Sequence, residues 1–191
     1  MPRVVDHKMR RRELVDASWD VIAEQGLHGL SLRNVAKAAG CTTGRISHYF
    51  ESRDALLTAA LMAVNNRAAR RMQAIAGSRD SVNEQLRQIA YEALPLDKSR
   101  LREWKVWIVF WAAAVNDERL ALLNRQRYEE WRGLIRQLTS QLVEGEESDC
   151  HADEFISMID GLGLRITLSP SRANRQMGVK MIDRWVGGLL D

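Results

Sequence analysis

The sequence predicts an all-α protein of about nine helices, and three observations lead there. Apolar residues recur with helical period along nearly the whole chain. The period is interrupted at short clusters of Gly, Pro, Ser, Asn and Asp, and no alternating apolar–polar run of the kind a half-buried strand needs is found. With 191 residues, 46% of them hydrophobic and 28% charged, the chain can bury a sizeable core in one or two domains.

Leu14, Ala17, Val21 and Ile22 lie at i, i+3, i+7 and i+8 and form one face of a first helix ending near Gly26. Ser31 is an N-cap residue for the second helix, with Leu30 and Val35 spaced as a hydrophobic staple and Leu32, Val35, Ala36 and Ala39 as its core face. Gly40 stops that helix. Thr42 caps a short third helix, Cys41 and Ile46 repeat the staple, and Ser52 caps a long fourth helix running toward Ile75. Further breaks fall at Gly77-Ser78, Pro95, Asn116-Asp117, the run "EGEESDC" from Glu144 to Cys150, and Ser169-Pro170. In helix eight Phe155, Ile156, Ile159, Leu162 and Leu164 cover more than one narrow stripe, and helix nine adds Met177, Met181, Trp185 and Leu189. Faces this wide predict burial on two sides, as at a homodimer interface, with Gly161 and Gly163 offset by close helix approach.

The stretch "GCTTGRISHYFESRDAL" carries Thr, Arg, Ser and His between apolar residues spaced for one core. Residues 32–49 fit two short helices joined by a tight turn, with Ala36 small at their approach and Gly40 able to take a left-handed conformation. Arg10, Arg11 and Arg12 begin the first helix, where positive charge opposes the macrodipole, and a phosphate partner accounts for them. Arg33, Lys37, Arg45 and Arg53 join them. Gly44 costs a helix roughly 1 kcal/mol relative to Ala, and close approach to a nucleic-acid backbone is a use for it. The net charge of +3 is uneven: residues 1–76 hold 12 Lys and Arg against 7 Asp and Glu, whereas residues 77–191 hold 16 against 18.

The run "ELVDASWDVIAEQGLHGLSLRNVAKAAGCTTGRISHYFESRDALLTAAL" resembles the DNA-binding domain of the TetR family of transcriptional repressors over nearly all of residues 10–61. It departs at Cys41, where Val is usual, at His48, where an aromatic is frequent, and at Arg53, where Lys is usual. The resemblance implies a helix-turn-helix three-helix head (residues 1–51), then a helical ligand-binding and dimerisation domain (52–191) with helix four as connector. It also implies a homodimer released from double-stranded operator DNA by a small-molecule effector. For a recognition helix in the major groove, Thr43, Gly44, Arg45, Ser47 and His48 are the candidate base contacts. Arg10, Arg11, Arg12, Ser31, Thr42, Tyr49 and Arg53 are the candidate phosphate contacts.

In the body, Trp104, Trp107 and Trp111 share one helical face, with Tyr128 and Trp131 on the next helix. They form either an aromatic core stripe or a π surface for a cation. Asp160 is a ligand counter-ion, an interface hydrogen-bonding group or a solvated residue. "WIVFWA" and "IDGLGLR" are similar to the BetI-like, choline-responsive branch of the family, which implies choline or a related quaternary ammonium compound as ligand. A neutral hydrophobic effector, or an architectural DNA-binding protein with no ligand, remain as alternatives. No GxSxG, P-loop or HExxH motif occurs, and His7, His28, His48 and His151 are scattered, so neither catalysis nor a metal or cofactor is expected. Cys41 and Cys150 are expected to be reduced and structural. The longest uncharged apolar run, Val106 to Val115, is half a bilayer span, and the N-terminus has no apolar signal core; the expected compartment is the cytoplasm.

Overall fold

A computed structural model describes residues 7–189. Among the described residues the chain forms nine α-helices and no strand: α1 (His7–Gly29), α2 (Leu32–Ala38), α3 (Thr43–Ser47), α4 (Arg53–Ala76), α5 (Val82–Ala93), α6 (Lys98–Ala114), α7 (Glu118–Thr139), α8 (Glu146–Leu168) and α9 (Arg172–Gly188). None of these helices is long and apolar enough to cross a membrane.

The boundaries follow local chemistry. Ser31, Thr42, Ser52, Ser81, Asp97, Asp117 and Ser171 each accept a hydrogen bond from the backbone N–H three residues on, satisfying a donor that the first turn leaves free. Gly40 adopts φ 63°, and around it Cys41 N–H bonds Ala36 O at 2.9 Å while Gly40 N–H bonds Lys37 O at 3.2 Å. This double bond pattern closes α2 and turns the chain into α3. At Gly26 (φ 67°) the regular part of α1 ends, as the sequence predicts. The expected break at Glu144–Cys150 is shorter than read. Its acids Glu146, Glu147 and Asp149 form the first turn of α8, where negative charge complements the helix dipole.

Two apolar cores result. The first joins α1, α2 and α3 to the opening turns of α4 as far as Val64, and takes in Val106, Trp107 and Phe110 of α6 and Leu120 of α7. The second is built by Met72, α5, Trp104, and the later turns of α7 with α8 and α9. The head therefore shares its core with α4 and α6. Trp19, 1% exposed, sits where they meet. Its Nε1–H donates to Ala60 O of α4 at 3.0 Å, and the guanidiniums of Arg67 and Arg102 lie 4.6 and 5.7 Å from its ring. Because α1 packs on two sides, its buried face is wider than the predicted stripe and adds Val15, Ser18 and Trp19.

At the C-terminal end α8 and α9 each divide into a buried and an exposed face. The buried stripe of α9 is Gly178, Ile182 and Val186, with Met177, Trp185 and Leu189 at its margins and Met181 exposed. Gly163 answers to a contact within the chain: a Cβ there would collide with the Trp104 indole. Gly161 faces open space, and Leu164 and Leu168 of α8 and Met181 of α9 are exposed apolar side chains.

Candidate nucleic-acid interface and effector cavity

In α3 a single side chain, Ile46, points fully inward, whereas Thr43, Gly44, Arg45, Ser47 and His48 are all exposed. The five predicted base-contact residues are thus all turned to solvent. A Cβ on Gly44 would meet nothing within 4 Å, so no packing inside the chain calls for glycine there. His48 and Tyr49 stack edge to face at 5.5 Å, and His7 of α1 lies 6.1 and 5.9 Å from their rings. Arg33, Lys37 and Thr42 are exposed beside this surface, and Arg12 is exposed on α1.

The other predicted phosphate contacts are partly committed inside the head. Arg10 pairs with Glu13 at 2.5 Å, and Arg11 lies 5.0 Å from the Phe50 ring. Ser31 and Thr42 use their hydroxyls as caps. Arg53 donates to Leu30 O at 2.8 Å and Leu27 O at 2.7 Å, which ties the turn after Gly26 to the start of α4.

The body holds a partly open cavity of about 140 Å³ between α4, α5, α6, α7 and α8, close to the roughly 150 Å³ that admits a benzene-sized guest in an engineered core. Trp104, Trp107, Trp111 and Asp160 all line it, together with Trp131. The Trp stripe is therefore both core and wall: Trp104 and Trp107 are buried and Trp111 is half-buried. Trp104 is fixed by donating to Ala93 O at 2.6 Å and by an edge contact with Trp111 at 5.6 Å. Tyr128 stands outside the lining and donates its hydroxyl to Asp160 Oδ2. Burial pushes the Tyr128 phenol up to about 12 and, despite that hydrogen bond, lifts the Asp160 carboxyl above the usual 3.8. Tyr128 hence remains a donor at neutral pH.

Sequence reasoning missed two groups here. On one wall Arg71 of α4 grips Glu103 of α6 with two bonds of 3.2 and 2.6 Å and also pairs with Glu92 of α5. Glu92 is shared with Arg100. On the other wall is Arg127, whose guanidinium carbon lies 4.1 Å from the Tyr128 ring centroid, 4.5 Å from Trp107, 5.8 Å from Trp111 and 5.9 Å from Trp131. Each close contact of this kind is worth about 0.5–2 kcal/mol. Burial depresses the pKa of Arg127, partly countered by Tyr128 and Asp160. Its Nε and the Nε1 atoms of Trp111 and Trp131 are buried without a partner, at a cost of about 1–3 kcal/mol per unmet donor. The available signal was periodicity: Arg127 falls seven residues after Leu120 and four before Trp131, inside the apolar stripe of α7. Among the described residues no group of His, Cys, Asp and Glu is arranged to hold a metal ion.

Comparison with known proteins finds a family match at each end of the chain. Residues 14–60 match the model for bacterial regulatory proteins of the tetR family, and residues 82–191 match the C-terminal domain of BetI-type transcriptional repressors. The HTH-type transcriptional regulator PksA of Bacillus subtilis is 33% identical, across 92% of this chain and 87% of that protein. The HTH-type transcriptional regulator BetI of Yersinia pestis is 28% identical across 97% and 95%. A transcriptional regulator from Saccharomonospora viridis, solved in complex with choline, superposes with a TM-score of 0.85 at 22% identity, across 94% of this chain and 96% of that one. The chain belongs to the TetR family of bacterial transcriptional regulators, as a DNA-binding repressor of the BetI type and not an enzyme.

Proposed function

We propose that the protein is a homodimeric repressor of a near-palindromic operator, released when choline or a related quaternary ammonium compound fills the body cavity. The observation that carries the ligand is the wall itself: three Trp of α6, with Trp131, beside four carboxylates (Glu92, Glu103, Glu130, Asp160) against two guanidiniums (Arg71, Arg127). An onium ion cannot donate hydrogen bonds through its nitrogen, so aromatic faces and an excess of negative charge are what bind it. The hydroxyl of choline supplies an acceptor for an unmet indole N–H. The choline-holding neighbour supports the same reading. Calorimetry with choline and its uncharged isostere 3,3-dimethylbutanol tests it. Choline is expected to bind and the isostere to be rejected, and equal binding of the two contradicts a cation site. Choline affinity is also expected to fall as pH is lowered through the raised pKa of Asp160, before an ordinary aspartate protonates.

On the DNA side, residues 1–51 are the reading head and 52–191 the body, acting in the cytoplasm. The exposed apolar side chains of α8 and α9 join two copies, so that paired recognition helices reach half-sites about 34–36 Å apart or a multiple of that. Arg45 reads a base edge, and Arg12 holds a phosphate. Arg45→Ala is expected to cost about 1–3 kcal/mol on the operator and to relax base preference. Arg12→Ala is expected to weaken all sequences alike and to flatten the salt dependence by about one charge. Fluorescence anisotropy on operator and random duplexes checks both; equal losses on the two DNAs for Arg45→Ala contradict the assignment.

A further inference from the structure

The aromatic wall that suits an onium ion already holds a cation. Arg127 reaches from α7 over the faces of Tyr128 and Trp107, with Trp111 and Trp131 within 6 Å. No carboxylate forms an ion pair with it among the described residues; its polar neighbours are Asn124 Oδ1, at 3.5 Å, and the Tyr128 hydroxyl. Its hold is therefore π contact, two neutral polar neighbours and diffuse charge, with Nε left unmet. Such a group is displaceable in a way that a bidentate pair like Arg71–Glu103 is not.

The surroundings provide somewhere for it to go. Arg127, Trp107, Asn65 and Glu130 line the cavity and also line a groove on its far side, whose other walls include Leu61, Met62 and Asn66 of α4. Arg127 is thus part of the partition between cavity and groove. Glu130 is one helical turn further along α7, exposed, and without an ion pair among the described residues. An i, i+3 Arg–Glu pair is a geometry that helices support. The α4 segment lining the groove is the one whose buried residues Leu57, Ala60, Leu61 and Val64 belong to the same core as the head.

We propose that Arg127 is a resident cation in the effector seat: an onium ligand binds by displacing its guanidinium, which moves to Glu130 and the groove beside α4. This rests on the cation reading of the cavity given above. Selectivity follows from it. A neutral guest cannot replace the charge that the wall and its carboxylates hold, so only a cation completes the exchange. Coupling follows as well, because the displaced guanidinium arrives against the helix that carries the head. Binding is taxed by the fraction of molecules in which Arg127 already lies off the wall.

Two measurements on the full-length protein test the exchange. In wild type, the Arg127 Nε–H signal in ¹⁵N-arginine-labelled protein, assigned by its loss in Arg127→Met, is expected to be shifted by the surrounding rings and to move to an ordinary position when choline is added. By calorimetry Arg127→Met is expected to bind choline about tenfold more tightly, since no guanidinium need leave, while choline releases the variant from operator less completely. Should Arg127→Met not fold, Arg127→Lys serves for assignment and the wild-type signal decides. A signal that stays ring-shifted in saturating choline overturns the proposal, even if the variant gains affinity, because the gain is then only the removal of a like charge. Equal or weaker choline binding by Arg127→Met also overturns it and leaves the cation site standing. No choline binding by either protein overturns both.

Discussion

Trp19→Ala should lower the unfolding free energy by about 3–5 kcal/mol, the range for emptying a buried Trp site, and should shift the melting midpoint by on the order of 10 °C for a chain of this size. The size of the effect follows from where the ring sits. It is 1% exposed, it fills the meeting point of α1, α4 and α6, and two arginines, Arg67 and Arg102, lie over it and lose their π partner on truncation. Trp19→Phe separates the parts: it keeps most of the packing and removes the Nε1 bond to Ala60 O, for about 1 kcal/mol plus the lost ring volume. Equilibrium unfolding in denaturant measures both. A loss under about 1 kcal/mol for Trp19→Ala contradicts the placement of this side chain as the joint between head and body. The same variant is expected to bind operator more weakly and to respond less to effector, because the head then rests on a cavity.

Glu103→Ala should cost about 3 kcal/mol. Glu103 is 5% exposed and holds Arg71 with two bonds. Removing it leaves the guanidinium with Glu92 alone, and Glu92 is already shared with Arg100. Breaking a buried pair from one side costs about 3–5 kcal/mol. The lower end applies because the Arg71 side chain keeps 26% exposure and water screens part of the loss. Glu103→Gln keeps the shape and one acceptor and should cost less. Both variants also remove one negative charge from the cavity wall, so choline affinity should fall in both by a similar factor while stability falls unequally. Thermal unfolding and calorimetry on the same preparations read the two effects apart.

What the sequence disclosed was whatever is settled within a few residues. The caps at Ser31, Thr42 and Ser52, the turn at Gly40 and the inward Ile46 are local, so the short helix α3 and the exposure of Thr43, Gly44, Arg45, Ser47 and His48 were legible. So were most helix boundaries, because Gly, Pro and capping residues act where they stand; the run from Glu144 to Cys150 was not, since its acids begin α8. The α6 Trp stripe was legible as a face, but its double role as core and wall depends on which helices lie across from it. Arg127 was not legible as the cation on the aromatic wall, since a charged residue in the stripe of α7 gains meaning only when Trp107 of α6 is opposite. The Tyr128–Asp160 bond and the Arg71–Glu92–Glu103 cluster join different helices and have no sequence spacing to betray them. Gly163 was read as a sign of close helix approach; the approach is to Trp104 of the same chain.

In the proposed mechanism one cavity and one DNA surface compete through α4, and linkage makes this testable in a single titration. If effector lowers operator affinity by some factor, operator must lower effector affinity by the same factor. Choline is titrated into the protein alone and into the protein saturated with an operator duplex selected from random DNA. Choline is expected to bind more weakly to the operator complex, by the factor with which saturating choline weakens operator binding. Equal choline affinity in the presence and absence of operator contradicts the account.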